Sequence, residues 1–461
     1  GDGEAHTALV CRRHFPDAQP GLAAVATRFT VCGLLALVEE TLMARILFIT
    51  SRLPFPPREG HQMRSWHLLK ALAARHEVTL LSFMRRDDEP DGIEEMQRHL
   101  AGVETFPITS EHSRIAMAWA LLRSLLTREP YVSTKYASAA MHARIRELSP
   151  GMDAVHFDML PLVRNADAVP SPIPVIYNAH NVEHVLLSTR ASMSKNPWIR
   201  RFLQGQLPRL LGFERQACER ANLVLACSTV DAEALRQLAP KANVAVVANG
   251  VDLEKNQPAT ATTTSNVPPS KLVFVGQMGW FPNRDGVEWF LGEVFPRILQ
   301  SRPDTEFVLV GKTDGLAVPK EVATQVRLTG FVPDLKPYVD QASVYVVPLR
   351  AGSGTRLKVL EAMALGKAIV TTSIGSEGIA LRHGESALYA DDAASFAAAT
   401  LDLLDSPVTV QRMGAAARRC AEQHYGWDAV GQQLLECYQQ QLRTDRGVAP
   451  VHREPMAIGT G

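Results

Sequence analysis

The segment from Pro348 to Gly366 carries the residue types best suited to hold an anion. An apolar run ends at Pro348, the glycines Gly352 and Gly354 follow, and a helical pattern begins near Thr355. Small residues let the backbone approach a ligand, and the free N–H groups of a helix N-terminus favour a phosphate. The spacing therefore predicts a phosphate-binding loop that opens a helix.

Two cations and a carboxylate follow in the same helix. Arg356 and Lys358 fall in its first turn, where a guanidinium and an ammonium group would neutralise a diphosphate. Glu361 lies three residues after Lys358, so the two side chains share a helical face. A carboxylate beside a nucleotide is suited to accept both ribose hydroxyls. The alternative is an exposed Lys358–Glu361 ion pair, and the glycine loop favours the binding site.

Two further segments place polar groups after apolar runs. In Asn178-Ala-His-Asn-Val-Glu-His184, His180 stands at the strand end, where an imidazole can hydrogen-bond a substrate or stabilise charge in a transition state. His184, Glu183 and Asp158 are weaker candidates. The proline-rich loop 51–60 ends at Gly60 and opens a helix near His61. It suits a close backbone approach to an anion, and its alternative is a simple turn.

The elements that must position these residues form an alternating pattern of strands and helices. Short β-branched runs between helical patterns are typical of parallel βαβ units, and continuous apolar strands indicate sheets covered on both faces. The predicted strands are 46–50, 78–83, 154–157, 174–177, 223–226 and 244–247 in the first half, and 272–275, 307–310, 326–328, 344–347 and 368–371 in the second. The pattern predicts two α/β domains, each binding ligands at the carboxyl ends of its strands.

The domain limits follow from composition. We expect an extension of unknown role over 1–42, a first domain over 43–250 and a second over 251–425. A helix over 426–445 is expected to return to the first domain, and a disordered tail covers 446–461. The Thr- and Pro-rich stretch 257–269 is predicted to be exposed near the boundary between the two domains.

Charge and composition exclude several classes of protein. The 461 residues contain 48 Lys and Arg against 48 Asp and Glu, so no overall charge favours nucleic acid. The six cysteines form no C-x-x-C pair, and neither they nor the histidines predict a metal site. No apolar run reaches the roughly 18 residues of a membrane span. We therefore expect a cytoplasmic protein, with Arg200, Arg201 and Arg209 near Trp198 either a solvated helix face or an acceptor or membrane-surface contact.

The order and spacing of these motifs resemble glycosyltransferase family 4 over roughly residues 43–442. The segments that carry the resemblance are Gly354…Glu361-Ala-Met-Ala-Leu-Gly366, Asn249-Gly-Val-Asp252, Val273-Phe-Val-Gly276, Gly330-Phe-Val-Pro333 and, as in exopolysaccharide-associated sugar transferases, Ser51-Arg-Leu-Pro-Phe-Pro-Pro57. The resemblance implies the GT-B fold, α/β with two Rossmann-like domains facing each other across a crevice. It also implies a retaining transferase that uses a nucleotide-diphosphate sugar, a glycan or lipid-linked saccharide acceptor, and neither metal nor other cofactor.

The resemblance also assigns roles to individual residues. His180 matches the family histidine near the donor sugar and, with Arg356 and Lys358, completes the expected catalytic set. The expected donor-binding residues are Gly60, Gly276, Arg284, Phe331, Ser353, Gly354, Thr355 and Glu361.

Two positions depart from the family pattern. Ser353 stands where the family often has a glutamate that meets the donor sugar, and a hydroxyl offers no charge there. Only Arg284 is basic after the first strand of the second domain, so the diphosphate charge is expected to fall to Arg356 and Lys358. An inactive or weakly active sugar-nucleotide-binding subunit stays open as an alternative. A nucleotide-sugar epimerase is disfavoured because no acid–base carboxylate cluster is evident.

Overall fold

The structure, a computed structural model, describes residues 43–85, 88, 91–108, 124, 127, 129–194, 196–259, 270–352 and 356–445. All elements below lie in one compact unit that begins at Ala44. The predicted extension 1–42, most of the stretch 257–269, the tail 446–461 and the predicted site residues Ser353, Gly354 and Thr355 lie outside the described residues.

The first half of the chain forms a seven-stranded parallel sheet in the order β3-β2-β1-β4-β5-β6-β7. Its strands are β1 (Arg45–Thr50), β2 (Glu77–Met84), β3 (Gly102–Pro107), β4 (Ala154–Asp158), β5 (Val175–Ala179), β6 (Leu223–Ala226) and β7 (Val244–Val246). Six of them were predicted as apolar runs. The edge strand β3 was missed because it is only half-buried and carries polar side chains. The strand order reverses between β1 and β4, which leaves a crevice at their carboxyl ends.

The second half forms a six-stranded parallel sheet in the order β10-β9-β8-β11-β12-β13. Its strands are β8 (Lys271–Val275), β9 (Glu306–Val310), β10 (Val326–Leu328), β11 (Val344–Val347), β12 (Ala368–Thr371) and β13 (Leu388–Tyr389). The two-residue β13 is too short to give a sequence pattern. Here the order reverses between β8 and β11, so each sheet has its own switch point. The predicted class, α/β with two parallel sheets, is confirmed.

Helices connect the strands. In the first half they are α1 (Gly60–Ala73), α2 (Asp91–Gln97), α3 (Tyr131–Lys135), α4 (Ala139–Leu148), α5 (Glu183–Met193), α6 (Pro197–Arg220) and α7 (Thr229–Leu238). In the second they are α8 (Phe281–Trp289), α9 (Phe295–Ser301), α10 (Lys336–Asp340), α11 (Leu357–Ala364), α12 (Ala393–Asp405), α13 (Pro407–His424) and α14 (Trp427–Asp445). A π-helical turn, Phe290–Val294, joins α8 to α9, and 3₁₀ turns occupy Ser149–Gly151, Leu160–Ala168, Ala323–Gln325 and Ile374–Ser376.

The last helix, α14, packs on the first sheet rather than the second. Its Tyr438 is fully buried in the same apolar cluster as Phe48 of β1. The helix approaches α1 closely, because a Cβ on Gly431 would lie 2.9 Å from the Cβ of Ala71. The two halves are therefore joined twice, by the chain near Gly250 and by the return of α14.

Candidate functional site

The first turns of α1 and α11 meet at the carboxyl ends of the two sheets. A Cβ on Gly60 would lie 2.7 Å from Cδ1 of Leu357, so only glycine fits without movement of that side chain. A second close contact joins Gly378 to Ser228, whose Cβ would lie 2.6 Å from an added Cβ. These contacts place the predicted loops of both halves on the two sides of one crevice.

Arg356 caps α11 and is 8% exposed. Its Nη2 donates to the carbonyl of Ile374 at 3.4 Å, and its guanidinium packs against the backbone of Gly352. Burial lowers the pKa of Arg356, and the carboxylates of Glu377 and Asp231 partly offset that effect. Asp231 belongs to α7 in the first half, so the cation is stabilised from both sides of the crevice.

Lys358 reaches back across α11 to the start of α8. Its Nζ donates to Oδ1 of Asn283 at 2.6 Å and lies 4.3 Å from the ring centre of Phe274. Burial and the nearby charge of Arg356 together lower the pKa of Lys358 to about 7, against the opposing effect of Glu361. A bound anion favours the ammonium form of an amine with so low a pKa, and so raises that pKa.

Gly276 lies at the end of β8, beside this amine. A Cβ there would stand 2.8 Å from Nζ of Lys358 and 2.8 Å from Nδ2 of Asn283. Glycine therefore keeps the space open in which the lysine and the strand end come together. The predicted residues Gly276 and Lys358 are neighbours, although 82 positions separate them in the chain.

Glu361 is half-buried one turn after Lys358, on the same face of α11. Burial raises its pKa, and the ammonium groups of Lys358 and Lys255 act in the opposite direction. Within the described part of the chain no group hydrogen-bonds its carboxylate. The carboxylate is thus available as an acceptor, and the predicted Lys358–Glu361 pair is an electrostatic contact, not a salt bridge.

Arg284 and Phe331 are less closely tied to this cluster. Arg284 donates to the carbonyls of Met278 at 3.0 Å and Asp314 at 2.9 Å, and so holds two loops together. Phe331 is 71% exposed, next to Gly330, whose φ of +69° favours glycine. The exposed ring leaves a flat apolar surface at the edge of the second sheet.

On the other side of the crevice, His180 belongs to a buried polar cluster. Its Nε2 lies 2.8 Å from Oδ1 of Asp158, and both side chains are almost inaccessible to solvent. Asn178 donates to the same carboxylate oxygen at 2.7 Å, and the hydroxyl of Ser65 contacts the other oxygen. Desolvation opposes ionisation of Asp158, but His180 and His156 hold its pKa well below the usual range.

Arg64 of α1 hydrogen-bonds to this cluster. Its guanidinium is buried and donates to Oδ1 of Asn178 at 2.8 Å, to the carbonyl of Ala248 at 2.9 Å and to Oδ1 of Asn249 at 3.0 Å. The two latter acceptors belong to the segment that leads into the second half. One side chain therefore ties α1, the end of β5 and the chain connection together.

His61 is a site residue that the sequence pattern did not indicate. It lies in the first turn of α1, directly after Gly60, and burial lowers its pKa to about 4. It is therefore neutral near pH 7. Its position directly after Gly60, which opens α1, was the one available signal.

Glu183 and His184, the weaker candidates, face away from this cluster toward Glu214. The fully buried carboxylate of Glu214 accepts the backbone N–H groups of Glu183 at 2.8 Å and of His184 at 3.1 Å, and contacts Nδ1 of His184 at 2.7 Å. This arrangement caps α5. It fixes the helix that follows His180.

Neither a metal cluster nor a membrane span is found in the described part of the chain. There, no three His, Cys, Asp or Glu side chains are grouped as metal ligands. Likewise, the described helices include none that is both long and apolar enough to cross a bilayer.

Comparison with known families matches both halves of the chain. A model described as Glycosyltransferase Family 4 matches residues 59–255, and one described as Glycosyl transferases group 1 matches residues 269–406. The first match covers the crevice residues of α1 and β5, and the second covers those of α11.

Relatives with curated descriptions match at moderate identity. A Klebsiella pneumoniae protein described as a 44.6 kDa protein in the cps region is 29% identical over 27% of this chain and 35% of its own length. D-inositol 3-phosphate glycosyltransferase of Thermobispora bispora is 28% identical over 58% of this chain and 67% of the relative. A Mycobacterium tuberculosis glycogen synthase is 26% identical over 50% and 57%, so the chain spans little more than half of that enzyme.

Solved structures match over most of the fold. Sucrose-phosphate synthase from Thermosynechococcus elongatus superposes with a TM-score of 0.64 and 19% identity, covering 87% of this chain and all of that one. Anabaena HepE in complex with UDP and glucose gives a TM-score of 0.59 and 15% identity, covering 86% and 99%. At these identities the likeness concerns the fold, two Rossmann-like domains in the GT-B arrangement.

Proposed function

We propose that the chain, whose two halves match glycosyltransferase models, is a retaining family 4 glycosyltransferase that moves a sugar from a nucleotide-diphosphate donor to a glycan or lipid-linked saccharide in bacterial polysaccharide biosynthesis. The observation that carries the proposal is the cluster on α11. Two desolvated cations, Arg356 and Lys358, stand one turn before a carboxylate, Glu361, at a helix N-terminus beside the crevice. The two cations would meet the diphosphate of a sugar nucleotide, and the carboxylate would meet its ribose.

The donor role falls to the second half. We assign residues 251–425 to the donor domain, 43–250 to the acceptor side, and 426–445 to the returning helix. UDP is the proposed nucleotide, because Anabaena HepE, which shares the fold, was solved with UDP-glucose. The exposed ring of Phe331 is proposed to cover the base, and Glu361 to accept the ribose hydroxyls.

Departure of the nucleoside diphosphate is the step that demands most stabilisation. Breaking the anomeric C–O bond leaves an oxocarbenium-like centre and moves negative charge onto the diphosphate. Arg356 and Lys358 lie in a partly dry site, where fixed charges act more strongly than in water. The N–H groups at the start of α11 add to this field.

The sugar itself is proposed to meet His180 from the opposite wall. Gly60 brings the first turn of α1 against α11, so the two halves of the site are in contact without the donor. The neutral imidazole of His61, next to His180, adds a second group that can hydrogen-bond a hydroxyl. Arg284 is proposed to hold the loop after β8 and the loop at Asp314 in place beside the donor.

Ser353, at the position of the family glutamate, favours one alternative. A protein that bound the sugar nucleotide without efficient transfer would keep Arg356, Lys358 and Glu361 and lose the acidic contact to the sugar. Measurable transfer or donor hydrolysis excludes this alternative.

A peripheral place at the inner face of the membrane is proposed from α6. Its first turn exposes Trp198, Ile199 and Phe202, which are 80%, 49% and 44% accessible, beside the exposed Arg200 and Arg201. An apolar turn flanked by arginines suits the interface of an anionic bilayer, where a lipid-linked acceptor would be found.

A thermal-shift screen tests the donor assignment. The purified protein is measured with UDP, GDP, ADP and CMP, and each ligand that binds the folded state raises Tm. We expect a shift with UDP that is lost in Arg356→Ala and Lys358→Ala. Lys367→Ala is the matched control, because Lys367 is also a half-buried lysine but donates to carbonyls of Asp340 and Ala342 at the amino ends of the strands.

The results separate the proposals. A UDP shift that survives in Arg356→Ala and Lys358→Ala contradicts the phosphate assignment on α11. A shift without transfer or hydrolysis of any UDP-sugar favours the binding subunit. No shift with any nucleotide contradicts the donor site itself.

A further inference from the structure

The contact between His180 and Asp158 determines which ring nitrogen carries the proton. Nε2 of His180 lies 2.8 Å from Oδ1 of Asp158. The carboxylate is ionised: it accepts hydrogen bonds from Asn178 and Ser65, and its pKa is held well below the usual range. An ionised carboxylate only accepts hydrogen bonds, so Nε2 must donate.

Arg64 fixes the orientation of the Asn178 amide in this cluster. A guanidinium only donates, so Arg64 forces Asn178 to turn its Oδ1 toward it, at 2.8 Å. The Nδ2 of Asn178 then donates to Oδ1 of Asp158 at 2.7 Å. Asn178 therefore offers His180 no acceptor, and among the described residues Asp158 alone can receive the Nε2 proton.

The opposite nitrogen is left available. Within the part of the chain that the structure describes, no group hydrogen-bonds Nδ1 of His180, and this atom is not among the enclosed unpaired ones. His61, in the first turn of α1, is neutral near pH 7, because burial lowers its pKa to about 4. A nitrogen of this kind accepts a hydrogen bond from a hydroxyl.

We propose that Asp158 is a positioning residue that holds His180 in the Nε2–H form, so that Nδ1 accepts a hydrogen bond from a hydroxyl of the transferred sugar. The inference rests on the proposed glycosyl transfer for its functional part, and its structural part stands alone. Removing a carboxylate that fixes an imidazole tautomer in this way lowers the reaction rate strongly, although the carboxylate does not contact the substrate.

Long-range ¹⁵N–¹H correlation spectra of histidine-labelled protein test the tautomer directly. The His180 signals are assigned by their loss in His180→Gln. We expect an Nε2–H tautomer in the unchanged protein and a shift toward Nδ1–H in Asp158→Ala, which leaves the donor Nδ2 of Asn178, 3.3 Å away, facing Nε2. An Nδ1–H tautomer in the unchanged protein overturns the proposal whether or not any transfer activity is found.

A double-mutant cycle then separates positioning from a structural role. We expect Asp158→Ala and His180→Gln each to lower kcat on the order of 10²-fold, with the donor KM within about threefold. The double variant should lose no more than His180→Gln alone, because Asp158 acts only through that imidazole. A further loss of similar size in the double variant assigns Asp158 to the fold and contradicts the proposal.

Tyr438→Phe is the matched control. The hydroxyl of Tyr438 is equally buried and bonds Nδ1 of His156 at 2.6 Å, while Nε2 of His156 stands 3.9 Å from Asp158. Its removal disturbs the same cluster without touching the Asp158–His180 pair. We expect kcat within about threefold of the unchanged protein, and a 10²-fold loss would show that any disturbance of the cluster abolishes activity.

Discussion

Lys358 allows a prediction whose size follows from the structure. Burial and the charge of Arg356 lower its pKa to about 7 in the free protein, against an ordinary value of 10.5. A bound diphosphate favours the ammonium form and raises the pKa again. UDP binding must then take up a proton, and the affinity must fall as the pH rises above 7.

The magnitude is set by the two pKa values. If the bound pKa returns to 10.5, the free lysine is about 9% protonated at pH 8 and the bound lysine almost fully, so binding takes up about 0.9 proton. Over pH 7 to 9 the UDP Kd rises about 50-fold, which is the upper limit for this one group. The phosphates of UDP contribute little there, because their last ionisation lies near pH 6.

Isothermal titration calorimetry measures the proton uptake. UDP is titrated at pH 8 in two buffers with different enthalpies of ionisation, and the difference in heat gives the number of protons. Lys358→Met should bring the uptake close to zero. Lys367→Met should leave it unchanged, since the pKa of Lys367 is also lowered, to about 8, far from the crevice. Zero uptake in the unchanged protein, or full uptake in Lys358→Met, refutes the assignment of Lys358 to the diphosphate.

Three further predictions concern neighbouring positions. Gly60→Ala places a Cβ 2.7 Å from Leu357, so we expect a higher donor KM with an unchanged Tm. Adding Leu357→Ala should restore the donor KM. A lower Tm with an unchanged KM would contradict this role of Gly60. Gly286→Ala drives a Cβ into the carbonyl oxygen of Pro348, and chemical denaturation should show a loss of roughly 1–3 kcal/mol, whereas equal stability would mean that α8 moves freely. Glu361→Gln should weaken UDP binding roughly 10- to 100-fold, as expected for a charge-assisted hydrogen bond. It should leave 2′,3′-dideoxy-UDP binding unaffected, and an equal loss for both nucleotides would exclude a ribose contact.

The fold was predictable from the sequence where burial is complete. Strands buried on both faces, such as Val344–Val347, read as continuous apolar runs bounded by turn residues. The edge strand Gly102–Pro107 is half-buried and includes Glu104 and Thr105, so its pattern is not that of a core strand. Packing against a single neighbour, which the sequence does not display, makes it a strand.

The candidate site was predictable to the extent that helical spacing brings its residues together. Arg356, Lys358 and Glu361 share α11, and their spacing alone places them at one end of it. The hydrogen bond of Arg64 to Asn178, by contrast, joins α1 to the end of β5. No local pattern encodes it, because it depends on how α1 lies against the end of β5.

Arg284 shows why residue type alone is a weak guide to a binding role. The sequence offers it as the single cation after β8, and on that basis it was expected to contact the donor. In the structure the guanidinium is engaged by the carbonyls of Met278 and Asp314, which close the loops at the strand ends. Exposed backbone carbonyls compete with a ligand for every nearby arginine, and their positions appear only in the fold.

Arg356 and Lys358 differ in how their surroundings control their charge, and the difference bears on catalysis. Arg356 stays charged, because its ordinary pKa lies far above neutrality and the carboxylates of Asp231 and Glu377 counteract its burial. Among the described residues, the neutral amide of Asn283 and the ring of Phe274 are the groups in contact with the amine of Lys358, so its charge depends on what occupies the crevice. Arg356 would therefore attract the donor, and Lys358 would acquire full charge as the donor excludes water. The ammonium charge of Lys358, which stabilises the departing diphosphate, is then present when the donor is bound. In the free protein it is largely absent above pH 8. On this basis kcat should vary little between pH 7 and 9, while the donor KM carries the pH dependence of binding.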